Sequence, residues 1–141
     1  MAGMTVISLD RSVQHTMEWM HNIKEELGWD NDERIFEATK AVLHAVRDRL
    51  PIEESAKFSA QLPLVLKGVY YEQYDPTGKP LNIRSREEFL DLVRRGFTGA
   101  LDAEEAVRGV IRGLSRRMGQ EPLVKVAMIM PEHIRDLFMV C

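Results

Sequence analysis

All three tyrosines of this 141-residue chain lie within one five-residue stretch, which makes that stretch the most distinctive candidate for molecular recognition. Tyr70, Tyr71 and Tyr74 are followed directly by Asp75. A tyrosine side chain combines a broad apolar face with a polar tip, so clustered tyrosines suit a recognition surface. The same rings could instead pack into a junction between helices and cover the following turn. The candidate recognition residues are therefore Tyr70, Tyr71, Tyr74 and Asp75, with packing as the alternative interpretation.

The histidines and acidic residues do not form a recognisable metal or catalytic motif. His15 and His21 are six residues apart, whereas two metal ligands on one helix face are three or four apart. Residues 30–33 resemble the start of a calcium loop, but Ile35 and Ala41 stand where such a loop needs glycine and glutamate. The sequence also lacks a glycine-rich phosphate loop and a nucleophile elbow. We expect no metal, no cofactor and no catalytic residue.

The composition is that of a globular domain, with 45% hydrophobic residues, 29% charged residues and a net charge of −3. This balance gives no overall attraction to nucleic acid or anionic lipid. Cys141 is the only cysteine, so we expect an incidental thiol rather than a disulfide or a catalytic group. Residues 1–11 lack the pattern of a signal peptide, and no apolar run approaches the roughly 18 residues that span a bilayer. We expect a soluble, cytoplasmic protein that does not contact a membrane.

The spacing of apolar residues predicts an all-α fold of about seven helices. The first helix is predicted to begin at an Asp10 N-cap, and its apolar residues recur in steps of three and four: Val13, Met17, Met20, Ile23 and Leu27. Further helices are delimited by capping residues, glycines and prolines. A turn-rich connection, residues 73–84, separates two halves that span about residues 10–72 and 85–138.

The two halves resemble each other when the sequence is shifted by 68 positions. Without a gap, this shift aligns identical residues, among them Ala38 with Ala106, Val42 with Val110, Lys57 with Lys125 and Pro63 with Pro131. Shared helical spacing and a shared proline position indicate an internal duplication. We therefore predict one domain over residues 1–141, in which two pseudo-symmetric halves pack as one bundle. The duplication also predicts a helix for residues 124–130, although their composition is typical of a strand.

Two segments and the turn that follows them resemble a known bacterial family. The segments are residues 41–51, AVLHAVRDRLP, and residues 60–72, AQLPLVLKGVYYE, and the turn begins with Asp75 and Pro76. Over about residues 13–138 the chain resembles the family known as domain of unknown function 2267. The resemblance implies a helical, cytoplasmic protein of a bacterium or archaeon, with no established activity. It supplies no catalytic residues.

We expect a non-enzymatic interaction module that associates with itself or with another protein. The chain has eight methionines and two apolar segments, residues 124–130 and 134–140, and such surfaces often bind a partner. A small-ligand carrier or enzyme is an alternative that would need a pocket between the halves near the tyrosines. A weak nucleic-acid binder is a further alternative, which would use the second-half arginines: Arg94, Arg95, Arg112, Arg116 and Arg117. It is the less favoured interpretation, because acidic neighbours favour a salt-bridged surface around these arginines.

Overall fold

The computed structural model describes residues 3–139. In that range the chain forms eight α-helices, a short 3-10 helix and no strand. The helices are α1 (Ile7–Leu27), α2 (Asp32–Arg49), α3 (Ile52–Ser59), α4 (Leu64–Tyr71), α5 (Arg86–Arg95), α6 (Ala103–Met118), α7 (Glu121–Ile129) and α8 (Glu132–Arg135), and the 3-10 helix is Asp136–Phe138. The all-α prediction is confirmed. The count is eight, where about seven helices were predicted, and Pro63 and Pro131 each separate two short helices.

Side-chain caps begin three of the longer helices. Asn31, Ser85 and Asp102 each accept a hydrogen bond from the backbone N–H three residues later, at the starts of α2, α5 and α6. The prediction of an N-cap at Asp10 is wrong. α1 begins at Ile7 after Val6, whose side chain makes no capping hydrogen bond. Asp10 lies in the first turn instead, where its negative charge suits the helix dipole.

The helices α2 and α6 form the centre of the bundle. α1 packs against α6, α5 packs against α2, and the two central helices contact each other. Small and β-branched side chains line these contacts, among them the buried Ala38, Val42, Ala106 and Val110. Each of the eight helices contributes buried side chains to one hydrophobic core. The helices therefore pack together around a single core.

The strand-like residues 124–130 are helical, as predicted. They belong mostly to α7, which buries Leu123, Val126 and Ala127. Pro122 lies in the first turn of α7, where its missing N–H has no intrahelical partner to lose. Tertiary packing therefore overrides the local preference of β-branched residues for a strand.

The turn-rich connection between α4 and α5 folds back onto α2. The backbone N–H of Leu81 donates to the carbonyl of Asp48 at 2.8 Å, and Arg49 Nε donates to the carbonyl of Ile83 at 2.8 Å. Ile83 is buried in the core. The end of the connection is therefore packed against the bundle.

Candidate functional site

The tyrosine segment, residues 70–74, includes the last turn of α4 and the residues that follow it. Tyr70 is fully buried, and its hydroxyl lies 2.7 Å from the Oγ of Ser55 in α3. Burial raises the pKa of Tyr70 well above its usual value, so the phenol stays neutral. Its ring packs against Phe58, with ring centroids 5.8 Å apart. Tyr70 therefore joins α4 to α3 and offers no surface to a partner.

Tyr71 and Tyr74 continue an aromatic row from Tyr70 towards the surface. The Tyr71 ring meets the Tyr70 ring edge-on with centroids 5.0 Å apart, and the Tyr74 ring lies 5.8 Å from that of Tyr71. Tyr71 is 38% exposed, and its hydroxyl lies 2.8 Å from Ser59 Oγ. The hydroxyl of Tyr74 is buried and has no hydrogen-bond partner within the described residues. Of the three rings, Tyr71 therefore offers the most surface.

Arg47 of α2 holds the end of α4 in place. Its buried side chain donates from Nη1 to the carbonyls of Tyr70 and Glu72, at 3.0 and 2.7 Å. The Arg47 Nε and Nη2 groups donate to the two carboxylate oxygens of Asp48, at 2.8 and 3.2 Å. The guanidinium carbon also lies 5.1 Å from the centroid of the Tyr74 ring. A cation at this position satisfies carbonyls that the last turn of α4 leaves without intrahelical partners.

His44 and Lys40 add two contacts to the same end of α4. His44 Nε2 lies 2.6 Å from the Val69 carbonyl, which can only accept, so this ring nitrogen carries the proton. Burial lowers the pKa of His44, and the positive charge of Arg47 acts in the same direction. Lys40 Nζ forms an ion pair with Glu72 at 3.0 Å. Three side chains of α2 thus fix the tyrosine segment.

Asp75 shapes the turn that follows α4. Its Oδ1 accepts a hydrogen bond from the Thr77 backbone N–H at 2.9 Å, and this bond lowers the pKa of the Asp75 carboxyl. The side chain is exposed. The structure therefore brings the three tyrosines into one row and leaves Asp75 on the neighbouring turn. A recognition role for the four residues stays a prediction.

None of the three tyrosines lines either of two larger cavities. One, of about 470 Å³, opens between α3 and α7, with Phe58 and Val126 in its wall and Lys57 and Lys125 at its rim. Each lysine pairs with a glutamate of its own helix, at 3.6 and 3.4 Å. The rim charges are thus balanced. This cavity suits a small amphipathic molecule but does not select for its charge.

The N-terminal part of α1 projects from the bundle. Between Ile7 and His15 every side chain except that of Ser12 is exposed, and burial begins at Thr16. Exposed apolar side chains recur here at helical spacing, and we call them the α1 stripe: Val6, Leu9, Val13 and Met17. Leu9, Val13 and Met17 are 57%, 49% and 57% exposed, respectively. An exposed apolar row of this length is typical of a surface that binds a partner.

The α1 stripe leads into a groove between α1 and α2, with a cavity volume of about 380 Å³. Met17 and Met20 line the groove from α1, and Ile35 and Phe36 line it from α2. Methionine and aromatic side chains adapt their packing to a partner at small cost. The stripe and the groove therefore form one continuous apolar surface, which we call the α1 surface.

The apolar stripe predicted along α1 is buried only in part, because Ile23 and Leu27 lie in the core whereas Val13 and Met17 are exposed. The residues that α1 buries are Thr16, Trp19, Ile23 and Leu27. α1 runs antiparallel to α6, and α6 ends at Met118. Just before this end, Arg117 hydrogen-bonds to Glu18 and Asn22 of α1. The first turns of α1 extend beyond this end of α6, so the apolar residues there are not covered.

Of the five second-half arginines predicted to form a salt-bridged surface, Arg94, Arg116 and Arg117 do so, whereas no ion pair within the described residues involves Arg95 or Arg112. Arg94 pairs with acidic residues of its own helix, and Arg116 and Arg117 pair with acidic residues of α1. Hydrogen bonds to Glu26 and Glu25 raise the pKa of Arg116. These ion pairs balance the arginine charges and connect α1 to α6.

Residues 3–139 contain neither a metal-ligating cluster nor a membrane-spanning helix. Within this range, no three His, Cys, Asp or Glu side chains are grouped so as to hold a metal ion. No helix of the described chain is both long enough and apolar enough to cross a bilayer. Cys141, and Val140 at the end of the apolar segment 134–140, lie outside the described residues.

Comparison with known proteins identifies a family. No curated protein matches the chain significantly. The sequence model of one family, described as an uncharacterized conserved protein, matches residues 16–137. The match begins at Thr16, the first buried residue of α1, so the projecting turns of α1 lie outside it. Because the match covers most of the sequence and agrees with the resemblance found in residues 41–51 and 60–72, the chain belongs to the DUF2267 family.

Proposed function

We propose that this chain is a non-enzymatic interaction module that associates with a second copy of itself. The observation that carries the proposal is the α1 surface. It combines the projecting α1 stripe, which forms an apolar ridge, with the apolar groove at the base of that ridge. A helix segment of about nine residues is only marginally stable by itself in water. Covering the ridge would remove apolar side chains from water and stabilise the helix that carries them.

The α1 surface replaces the C-terminal segments as the expected interface. Most apolar residues of segments 124–130 and 134–140 are in the core, including Val126, Met130 and Ile134. Of the described residues there, Val124, Met128 and Met139 remain exposed. They do not form a row that continues into a groove, whereas the residues of the α1 surface do.

The area of the α1 surface is close to what a stable interface needs. The exposed parts of the stripe and of the groove side chains amount to roughly 400 Å² per copy, within the range of patches that mark interaction sites. The centre of such an interface is about two-thirds apolar. With its polar margin, the contact would bury about 600 Å² per partner, the lower end of the range for a standard interface.

We also propose that the two halves descend from a duplication, so that the bundle has a pseudo-twofold axis. The helix boundaries support this. Shifted by 68 residues, α3 falls on residues 120–127, and α7 spans Glu121–Ile129. The packing pairs support it as well, because α1 with α6 corresponds to α5 with α2, and α1 with α4 corresponds to α5 with α8. The aligned residues Tyr70 and Phe138 are both buried aromatic residues.

A small-ligand carrier is a second candidate, and the cavity of about 470 Å³ between α3 and α7 favours it. It has the volume of a ligand pocket, and it lies between the two proposed repeats. Its open rim of balanced charges gives no indication of the ligand class.

Native mass spectrometry of the purified full-length chain tests both candidates in one experiment. Self-association predicts a dimer made of unmodified chains, whose share rises with concentration from about 1 to 100 µM, as expected for an interface of standard size. A chain that stays monomeric over this range would contradict the proposed function. A monomer that carries a bound small molecule would establish the carrier instead.

A further inference from the structure

We infer that two copies pair through antiparallel α1 helices, related by a twofold axis near Val13, so that the projecting turns pack against each other and the first turn of each α1 reaches the groove between α1 and α2 of the other. This inference rests on the proposed self-association and specifies its geometry. A twofold interface uses the same patch on both copies, so the patch must be complementary to itself. The α1 surface meets this requirement, because each copy presents both a ridge and a groove.

The spacing of the apolar residues is symmetric about Val13. From Val6 to Met20, the apolar residues of this face follow one another in steps of three, four, four and three: Val6, Leu9, Val13, Met17 and Met20. Reading this row backwards gives the same steps. An antiparallel copy therefore places Val13 against Val13, Leu9 against Met17, and Val6 against Met20. A parallel pair would bring the two ridges together and leave both grooves empty.

The register places the first turn of α1 at the near end of the partner's groove. With Val13 on the twofold axis, residues 6–9 of one copy lie opposite residues 17–20 of the other. The α1 wall of the groove runs from Met17 to Lys24, about 10 Å at about 1.5 Å per residue. The partner α1 therefore covers the groove at Met17 and Met20, and its helical part does not extend to Lys24.

The charges at the far end of the groove complement the incoming helix. That end carries Asp32 and Glu33 of α2 and Lys24 of α1, a net charge of −1. In the antiparallel arrangement the N-terminal end of the partner α1 points toward these groups from the level of Met20, about 6 Å away along the helix axis, and this end carries the positive pole of the helix dipole. The N-terminus of α1 also has no side-chain cap within its own copy. Acidic groups of a second copy would supply negative charge where the first helix turn favours it.

The groove also favours a helix over a membrane surface as the occupant. A flat bilayer would contact the ridge but would leave the half-buried Phe36 in the groove uncovered. The acidic Asp10, Asp32 and Glu33 beside the apolar surface would also be repelled by anionic lipid. A second copy of α1 reaches both the ridge and the groove.

Sedimentation velocity of matched variants tests the location of the interface. Met17→Asp places a charge in the proposed contact, and Met128→Asp places the same charge on α7, at a methionine of similar exposure, 61% against 57%. We expect Met17→Asp to raise the dimer dissociation constant at least about tenfold and Met128→Asp to change it less than about twofold. Because both positions are exposed, the two variants should keep the helical circular dichroism of the wild type. Val13→Asp is a second variant with the same expected result as Met17→Asp.

Disulfide trapping tests the antiparallel arrangement. In a Cys141→Ser background, which removes the only native cysteine, Val13→Cys should crosslink two copies under mild oxidation, because the twofold axis brings the two cysteines together. Met128→Cys is the matched control and should remain uncrosslinked. Crosslinking of Leu9→Cys with Met17→Cys, mixed as two separate chains, would support the same register.

The outcomes separate this inference from the proposed function. A wild-type dimer that neither Met17→Asp nor Val13→Asp weakens would overturn the α1 pairing but leave self-association standing. A dimer that these variants weaken but that Val13→Cys does not trap would overturn the antiparallel register. A wild-type monomer would overturn the proposed function and the pairing together. A monomer that sediments with anionic vesicles would in addition assign the α1 surface to a membrane.

Discussion

Gly113 of α6 lies so close to Ile23 of α1 that a Cβ built on Gly113 would be 2.6 Å from the Ile23 Cα. A real Cβ does not approach a backbone atom so closely, so the two helix backbones meet where α6 has no side chain. Arg116 and Arg117 pair with acidic residues of α1 next to this contact. The contact fixes the buried half of α1 on the bundle and therefore sets where its projecting half begins.

Replacement of Gly113 by alanine should separate α1 from α6. Because the clash is with the backbone of Ile23, the helices must move, and we expect the free energy of unfolding to fall by about 1–3 kcal/mol. Urea denaturation measures this change. The matched control is Gly68→Ala in α4, where an added Cβ has nothing within 4 Å. Alanine there should leave the stability unchanged or raise it by up to about 1 kcal/mol through helix propensity. Equal effects at the two positions would contradict the close backbone contact.

Replacement of Arg47 by methionine should be strongly destabilising. It keeps much of the side-chain volume but leaves the carbonyls of Tyr70 and Glu72 and the carboxylate of Asp48 without their buried partner. We expect a loss of about 3 kcal/mol or more in urea denaturation. Arg112→Met on α6, where the side chain is exposed, is the control and should change stability by less than about 0.5 kcal/mol. A small effect at Arg47 would mean that it does not hold the end of α4.

The buried hydroxyl pair of Tyr70 and Ser55 should show energetic coupling. Tyr70→Phe and Ser55→Ala each leave one buried oxygen without its partner, so each should cost about 1–2 kcal/mol. The double variant removes both oxygens and should cost less than the sum by about 1 kcal/mol. A cycle of four denaturation curves measures this difference. The pair Tyr71 and Ser59 is more exposed and should show a smaller coupling energy, so it serves as the control. Strictly additive losses at Tyr70 and Ser55 would contradict a direct hydrogen bond between them.

His44 should make the stability depend on pH near neutrality. Burial lowers the pKa of His44 in the folded chain, so the unfolded chain takes up the proton first as the pH falls. The contribution of neutral His44 to the free energy of unfolding is therefore complete above the pKa of histidine in the unfolded chain, about 6.5, and decreases as the pH falls below that value. Unfolding curves of the wild type and of His44→Gln at pH 7.5 and 5.5 measure it. The wild type should lose more stability than the variant; an equal loss would show that other groups cause the pH dependence.

Local sequence signals predicted much of the fold. Ser85 and Glu88 have the sequence spacing of a capping box and form one at the start of α5, and Gly28 ends α1 in the left-handed conformation that glycine favours. The proline breaks at positions 63 and 131 fall between helices as expected. These features depend on neighbouring residues, so a sequence pattern is enough to find them.

The candidate sites depend on contacts between distant segments, and the sequence predicted them less well. Tyr70 is buried because Ser55 and Phe58 of α3 enclose it, and Arg47 finds its acceptors 23 and 25 residues further along the chain. The available sequence signal for the buried role of Arg47 was its position among the apolar residues of segment 41–50. The exposure of Val13 depends on where α6 ends, which helical spacing does not reveal.

Hydrogen exchange of residues 7–15 at two protein concentrations tests the central claim most directly. These backbone amides belong to projecting helix turns that should open readily in a monomer and be protected when a second copy covers them. We therefore expect slow exchange at about 100 µM and fast exchange at about 1 µM, concentrations that bracket the dissociation of a weak standard-size dimer. Amides in the core of α2 should exchange equally slowly at both concentrations. Fast exchange of residues 7–15 at a concentration where the chain is dimeric would contradict pairing through α1.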